Sequence, residues 1–200
     1  MKDAPMNPRM EKLFEHTKLL CFGRYVLTVP VDSRLAFGRD FPTLPNQAKN
    51  IEKVMQAERA KILAANDTAE VTYFGKGPAP NTWLIRSYMD DTARNLELEG
   101  FRFYYAVGPH IFMDGDATAK SQKVTAASLL KDAVETAKNL RLREPDEVPK
   151  DPGLCHEYGF THDASYSSAL SQVGLHMAAL PDVVFSVESN QAASTQGSNG

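Results

Sequence analysis

This chain has no excess of positive charge, no long apolar run and only two cysteines, and each shortage excludes something. Its 22 Lys and Arg stand against 25 Asp and Glu, a formal net charge of -3. Nothing here favours nucleic acid or an anionic membrane as partner, since both select a basic face. The longest apolar run near the start, Leu19 to Phe22, is far below the ~20 residues that span a bilayer. No transmembrane helix and no membrane insertion are expected. The opening MKDAPMNPRMEKLFEHTK carries Asp3, Glu11 and Glu15 and no signal-peptide core, so as it stands it reads as not addressed for export, hence cytoplasmic if the start is correct. Cys21 and Cys155 lie too far apart for a CxxC redox pair and are too few for a four-thiolate zinc site. Two readings stay open: separate reduced core thiols, or one long-range disulfide in an oxidising compartment.

Catalytic signatures are missing as well. No serine sits between the glycines of a GxSxG turn, and Ser165, Ser167 and Ser168 read as polar strand positions. Gly75-Lys76-Gly77 falls short of a phosphate loop and is followed by Pro78, which removes an amide donor. Asp114-Gly115-Asp116 lacks the later ligands of a calcium loop and reads as a turn. The one cluster with chemical potential is CHEYGFTHD, with Cys155, His156, Glu157, His162 and Asp163. Its two histidines are not one helical turn apart as in HExxH, so they read as surface or turn polar residues. Asp90-Asp91 and Glu97 with Glu99 read as solvated charges. No catalytic residue, metal or cofactor is assigned, and the chain is not expected to be an enzyme.

What the chain does hold is enough apolar material, 42% of 200 residues, for a packed core. LLCFGRYVLTVP, residues 19 to 30, reads as a strand ending at Pro30, and Leu35 to Phe41 as another. Ile51, Val54, Met55 and Ile62 recur at helical spacing. Val71 to Phe74, Trp83 to Tyr88, Phe101 to Val107 and His110 to Met113 predict antiparallel strands separated by glycine and proline turns. A second helix is predicted from about Ser121 to Arg141, with one apolar stripe through Val124, Ala127, Leu130, Val134 and Ala137.

Residues 142 to 153 contain three prolines and the charged Arg143, Glu144, Asp146, Glu147, Lys150 and Asp151, the composition of a linker. Strands are expected at Leu154 to Phe160, Ala169 to Met177 and Val183 to Val187. The fold class expected is α+β, an antiparallel sheet with two packed helices followed by the beginning of a second α+β domain. Its divisions are a flexible N-terminus at 1–18, a first domain at 19–141, a linker at 142–153, a partial second domain at 154–190 and a disordered tail at 191–200.

Three segments carry a family resemblance. Cys21-Phe22-Gly23-Arg24-Tyr25-Val26-Leu27-Thr28-Val29-Pro30 resembles the opening strand of immunity proteins cognate to the fourth class of type VI secretion lipase effectors, the Tli4-like proteins that bind Tle4-type phospholipases. The stretch from Gly153 through Cys155 to Gly159 and Phe160 resembles the opening of that family's second domain. Leu180 to Val187, with Phe185, resembles a later strand. The order of the three matches the family, and the likeness covers about residues 18 to 190.

The resemblance implies a two-domain, non-enzymatic inhibitor that binds its cognate lipase with both domains, in the periplasm. It also suggests that Cys21 and Cys155 are bridged in an exported form. The family's contact residues are marked by no motif here. Against the family pattern, the second domain is short, so the strands at 169–177 and 183–187 are expected to expose an unpaired edge and the chain alone to bind its lipase weakly. The alternatives are a small hydrolase using the His156 to Asp163 region and an envelope structural protein.

Overall fold

The protein is described from a computed structural model covering residues 8–38, 41–120, 123–163 and 169–191. It is mixed α+β with antiparallel strand pairing. In chain order the elements are α1 (Pro8–Leu13), β1 (Thr17–Phe22), β2 (Tyr25–Pro30), β3 (Arg34–Phe37), β4 (Thr43–Leu44), α2 (Ile51–Ala65), β5 (Glu70–Lys76), β6 (Thr82–Tyr88) and α3 (Asp91–Asn95). There follow β7 (Gly100–Val107), β8 (His110–Ala117), α4 (Ala126–Asn139), β9 (Leu140–Leu142), β10 (Gly153–His156), β11 (Gly159–His162), β12 (Ala169–His176) and β13 (Val184–Gln191).

These divide into two compact units that do not follow the expected boundaries. Phe41–Leu142 forms one unit, while Met1–Asp40 and Arg143–Gly200 together form the other. The expected first domain, 19–141, therefore loses its opening strands to the chain's far end. The expected linker and partial second domain, 142–153 and 154–190, belong with those strands in one discontinuous unit. Residues 8–18, assigned to a flexible N-terminus, hold α1 and the start of β1. Of the tail, Gln191 ends β13 and 192–200 lie outside the described residues.

The continuous unit is built on a sheet of order β4-β8-β7-β6-β5. Alternation along β7 sends Tyr104 to one face and Phe101, Phe103 and Tyr105 to the other, and all four are buried. On the first face Ile51, Met55 and Ile62 of α2 pack with Ile85, Tyr104 and Ile111, joined by the half-buried Trp83 and Val54. On the other, α4 buries Leu129 and Ala133, one helical turn apart. Its start is fixed by a capping box: Ser128 N–H donates to Thr125 Oγ1 at 3.1 Å, and Thr125 N–H to Ser128 Oγ at 3.0 Å. The helix thus begins at Ala126, later than the apolar stripe suggests, because Val124 instead bridges to Ala119.

Two readings of acidic residues are corrected in this unit. Asp114-Gly115-Asp116 is no turn: it lies inside β8, paired with Phe103, Arg102 and Phe101, because the long β7 extends the ladder. Glu99 is not solvated but buried, taking Arg86 Nη2 at 2.5 Å and the Thr72 hydroxyl at 2.5 Å, with the Arg86 guanidinium 5.0 Å over the Phe101 ring. A buried carboxylate needs such partners, since an unpaired one costs several kcal/mol, on the order of 3–5.

In the discontinuous unit, LLCFGRYVLTVP is a hairpin, not a single strand. Gly23 has φ +49°, so the chain reverses there and β1 pairs with β2 from Phe22↔Tyr25 out to Thr17↔Pro30. β12 lies between β13 and β3, pairing Leu175 with both Phe185 and Leu35. The edge expected to lie bare on the 169–177 strand is thus covered by β3, from the first forty residues. Leu20, Val29 and Leu175 form a small core with Leu27, Leu35 and Met177 packed on it.

Candidate functional site

The motif residues converge within the discontinuous unit. Cys21 on β1 and Cys155 on β10 are buried and disulfide-bonded, with Cα atoms 5.8 Å apart and the Phe160 side chain packed against them. Two residues on, Gly23 N–H donates to the Cys155 carbonyl at 2.9 Å and Cys155 N–H to the Gly23 carbonyl at 2.7 Å. Only glycine fits: φ is positive, and a Cβ would collide with the Ser171 side chain. Arg24 forms an ion pair with Asp163, their side chains 9% and 12% exposed, and its Nη1 also donates to the Asp163 carbonyl at 3.3 Å.

The remaining motif positions are architectural too, with one exception. Gly153 opens β10 where a Cβ would strike the Thr161 carbonyl and the Phe160 ring. Gly159 is buried at the start of β11 opposite His156. Pro30 ends β2, and its carbonyl accepts from Ser33 N–H at 2.9 Å. Phe185 stands apart: it lies on β13 with 42% of its surface exposed, in a run with Leu180, Val183 and Val184, which are exposed as well.

Arg143, which composition placed in a solvated linker, is buried. Its guanidinium donates to the carbonyls of Gly159 at 3.3 Å, His156 at 2.8 Å, Glu144 and Pro145 at 3.2 Å, and Glu147 at 3.0 Å. Its own N–H donates to the Tyr158 carbonyl at 3.0 Å. One side chain thereby ties the 144–147 turn to the β10–β11 hairpin, a role with no local sequence signal.

The CHEYGFTHD cluster is dispersed by the hairpin that contains it. His156 Nε2 lies 2.9 Å from the Thr161 hydroxyl, and burial, with the Arg143 guanidinium beside it, pushes the imidazole down to about 4. It is therefore neutral at physiological pH. Asp163 is committed to Arg24, and His162 is exposed. Among the described residues no three His, Cys, Asp or Glu side chains are placed to hold a metal, and no helix is long and apolar enough to cross a membrane. The arrangement joins chain segments, and β13 leaves the apolar side chains of Val184 and Phe185 exposed. Sequence reasoning missed Asp163 as the partner of Arg24; its only signal was membership of that cluster.

No protein-family profile and no curated protein matches the chain. Solved structures do. The chain is similar to the apo immunity protein TplEi of the type VI secretion system from Pseudomonas aeruginosa, with TM-score 0.69 and 16% identity over 90% of this chain and 62% of that one. It is similar to TplEi complexed with an "L" peptide, with TM-score 0.64 and 16% identity over 90% and 60%. It also resembles a chain of the Tle4-Tli4 complex, with TM-score 0.71 and 18% identity over 90% and 62%. The chain spans at most 62% of these neighbours' lengths. At such identities the likeness is one of fold: nine-tenths of this chain is folded like part of TplEi.

Proposed function

We propose that this protein is an immunity protein that binds a cognate type VI secretion lipase effector and blocks it, sparing the producing cell. The observation that carries this is the fold match over nine-tenths of the chain to the immunity protein TplEi and to a chain of the Tle4-Tli4 complex. It is supported by the convergence of Cys21, Gly23 and Arg24 with Cys155 and Asp163 in one module. Among the described residues His156 is tied to the Thr161 hydroxyl, Asp163 to Arg24, and His162 is exposed, which favours a binding protein over a hydrolase. The disulfide favours an oxidising compartment, and the proposal places the protein in the periplasm, where a lipase toxin would meet the membrane.

The test is rescue in cells. A strain directing the lipase to its periplasm is co-transformed with the chain, itself directed either to the periplasm or to the cytoplasm. Growth restored by the periplasmic form, together with capture of the lipase by a tag on the chain, supports the proposal. Toxicity unchanged by either form, at verified expression, contradicts it.

A further inference from the structure

The β6–β7 connection of the continuous unit, residues 89–99, carries three bare apolar side chains. Met89 and Leu96, at 69% and 57% exposed, are the two most exposed large apolar residues among those described, and Leu98 is 39% exposed. Single exposed leucines are ordinary surface, but three on one short connection make a patch. The ladder brings two of them together: its last β6–β7 pair is Ser87↔Gly100, and the same register carried two residues further sets Met89 opposite Leu98. Leu96 ends α3, two residues before Leu98. We propose that this connection docks on the lipase effector at the lipase's own lipid-binding cleft, its apolar tips taking the place of acyl chains and its carboxylates that of a phosphate head group; the inference rests on the immunity function proposed above.

The connection is held in place from within and from outside. Asp90 Oδ1 accepts from Ala93 N–H at 2.7 Å, Leu98 N–H donates to the Ala93 carbonyl at 2.8 Å, and Leu96 N–H donates to the Thr92 carbonyl at 3.0 Å. Arg94 reaches out to the Glu70 carboxylate at 3.0 Å and to the Thr68 carbonyl at 3.3 Å. The Thr118 hydroxyl donates to the Glu97 carbonyl at 2.6 Å and accepts from Glu99 N–H at 2.8 Å. A backbone tied this closely presents its side chains before a partner arrives, so less conformational entropy is left to lose on binding.

Charge selects the partner surface. The charged groups of the connection are Asp90, Asp91, Arg94, Glu97 and Glu99, and those paired with them are Glu70, Arg86 and Lys120. Every cation in this set is taken: Arg94 by Glu70 and Asp91, Arg86 by the buried Glu99, and Lys120 by Glu97. Carboxylates are therefore in excess here, although elsewhere in Phe41–Leu142 Lys and Arg outnumber Asp and Glu. An apolar patch edged with surplus carboxylate fits an apolar cleft edged with Lys or Arg and is repelled by an acidic one. A lipase that takes anionic phospholipid needs such a cleft, because acyl chains call for apolar walls and a phosphate for cations.

The experiment uses the full, oxidised chain and the lipase hydrolysing dihexanoyl phosphatidylglycerol, a soluble anionic phospholipid, with affinity read by calorimetry. Met89→Gln/Leu96→Gln, at two exposed positions, should keep the wild-type melting temperature and weaken binding about tenfold or more. Glu97→Gln should weaken binding about threefold and reduce its dependence on salt. Leu142→Gln, at an exposed apolar position beside Gly108 at the opposite end of β7, is the control and should bind within twofold of the wild type. With the lipase dilute, the concentration of chain giving half inhibition should rise in proportion as substrate is raised above its KM, because chain and lipid compete for one cleft. If the wild type binds and inhibits but the double variant binds within twofold of it, or half inhibition stays constant as substrate rises, the cleft proposal is overturned and the immunity function stands. If the wild type itself does not bind, the immunity function falls, and this proposal with it.

Discussion

Reducing or removing the Cys21–Cys155 disulfide should loosen the discontinuous unit while sparing the continuous one. The bond joins residues separated by 134 positions, with the whole of Phe41–Leu142 inside the loop it closes. Chain entropy for a loop of that length gives about 5 kcal/mol, and native disulfides typically deliver about 2–5. Domain stabilities are only about 5–15 kcal/mol, so this is a large share. The reciprocal Gly23 and Cys155 backbone hydrogen bonds and the Arg24–Asp163 pair survive reduction but no longer have the crosslink to hold them in register. Exchange of backbone amides reads each unit separately. With Cys21→Ala/Cys155→Ala, protection at β1, β10 and β11 should fall by about 30-fold or more, the equivalent of about 2 kcal/mol. Protection at β6 should hold. Trp83, the single tryptophan, packs on the core of the continuous unit, so its fluorescence transition in urea should keep its midpoint. Unchanged protection at β10 and β11, or an equal loss at β6, would refute the assignment of this bond to the discontinuous unit alone.

Other outcomes follow from single side chains. Asp163→Asn leaves the nearly buried Arg24 without its anionic partner and should destabilise by about 3–5 kcal/mol in thermal unfolding. Arg143→Lys cannot reach the carbonyls of Gly159, His156 and the 144–147 turn together, and should cost about 2–4 kcal/mol, read as faster exchange at β11. His156 is held neutral with its folded value near 4, below the ordinary ~6.5, so the unfolded state binds more protons between these values. Stability should therefore be full above pH 6.5, fall as pH drops towards 4 by up to about 3 kcal/mol, and change no further from this group below that; His156→Gln should flatten the window. Thr125→Ala removes the cap of α4 and should cost about 1 kcal/mol, visible in the Trp83 transition.

Local periodicity made α2, α4 and most strands legible, but not the short α1 and α3, and in α4 the buried residues are Leu129 and Ala133 rather than the expected stripe. Ile51, Met55 and Ile62 lie on one face of α2 as their spacing requires, and Phe101 to Val107 falls within β7. The division into units was not legible, because it depends on pairings such as Leu35 with Leu175 that no neighbouring residue announces. Proline and charge in 142–153 described a segment without regular structure correctly over much of its length, but composition does not reveal that Arg143 turns inward to satisfy carbonyls. Gly23 was noticed as a motif residue, yet its positive φ, which splits one apolar run into a hairpin, follows only from the turn it makes. The expectation of weak binding rested on a short second half with unpaired strands; β3 covers β12, while β13 lies at the edge of its sheet as expected.

The most direct test of the central claim is a titration of lipase activity. Purified cognate lipase hydrolysing phospholipid vesicles is mixed with increasing amounts of the oxidised chain at a lipase concentration above the expected dissociation constant. An inhibitor of the kind proposed predicts a linear loss of activity ending near one equivalent. Full activity at a tenfold excess of folded, disulfide-bonded chain would contradict it.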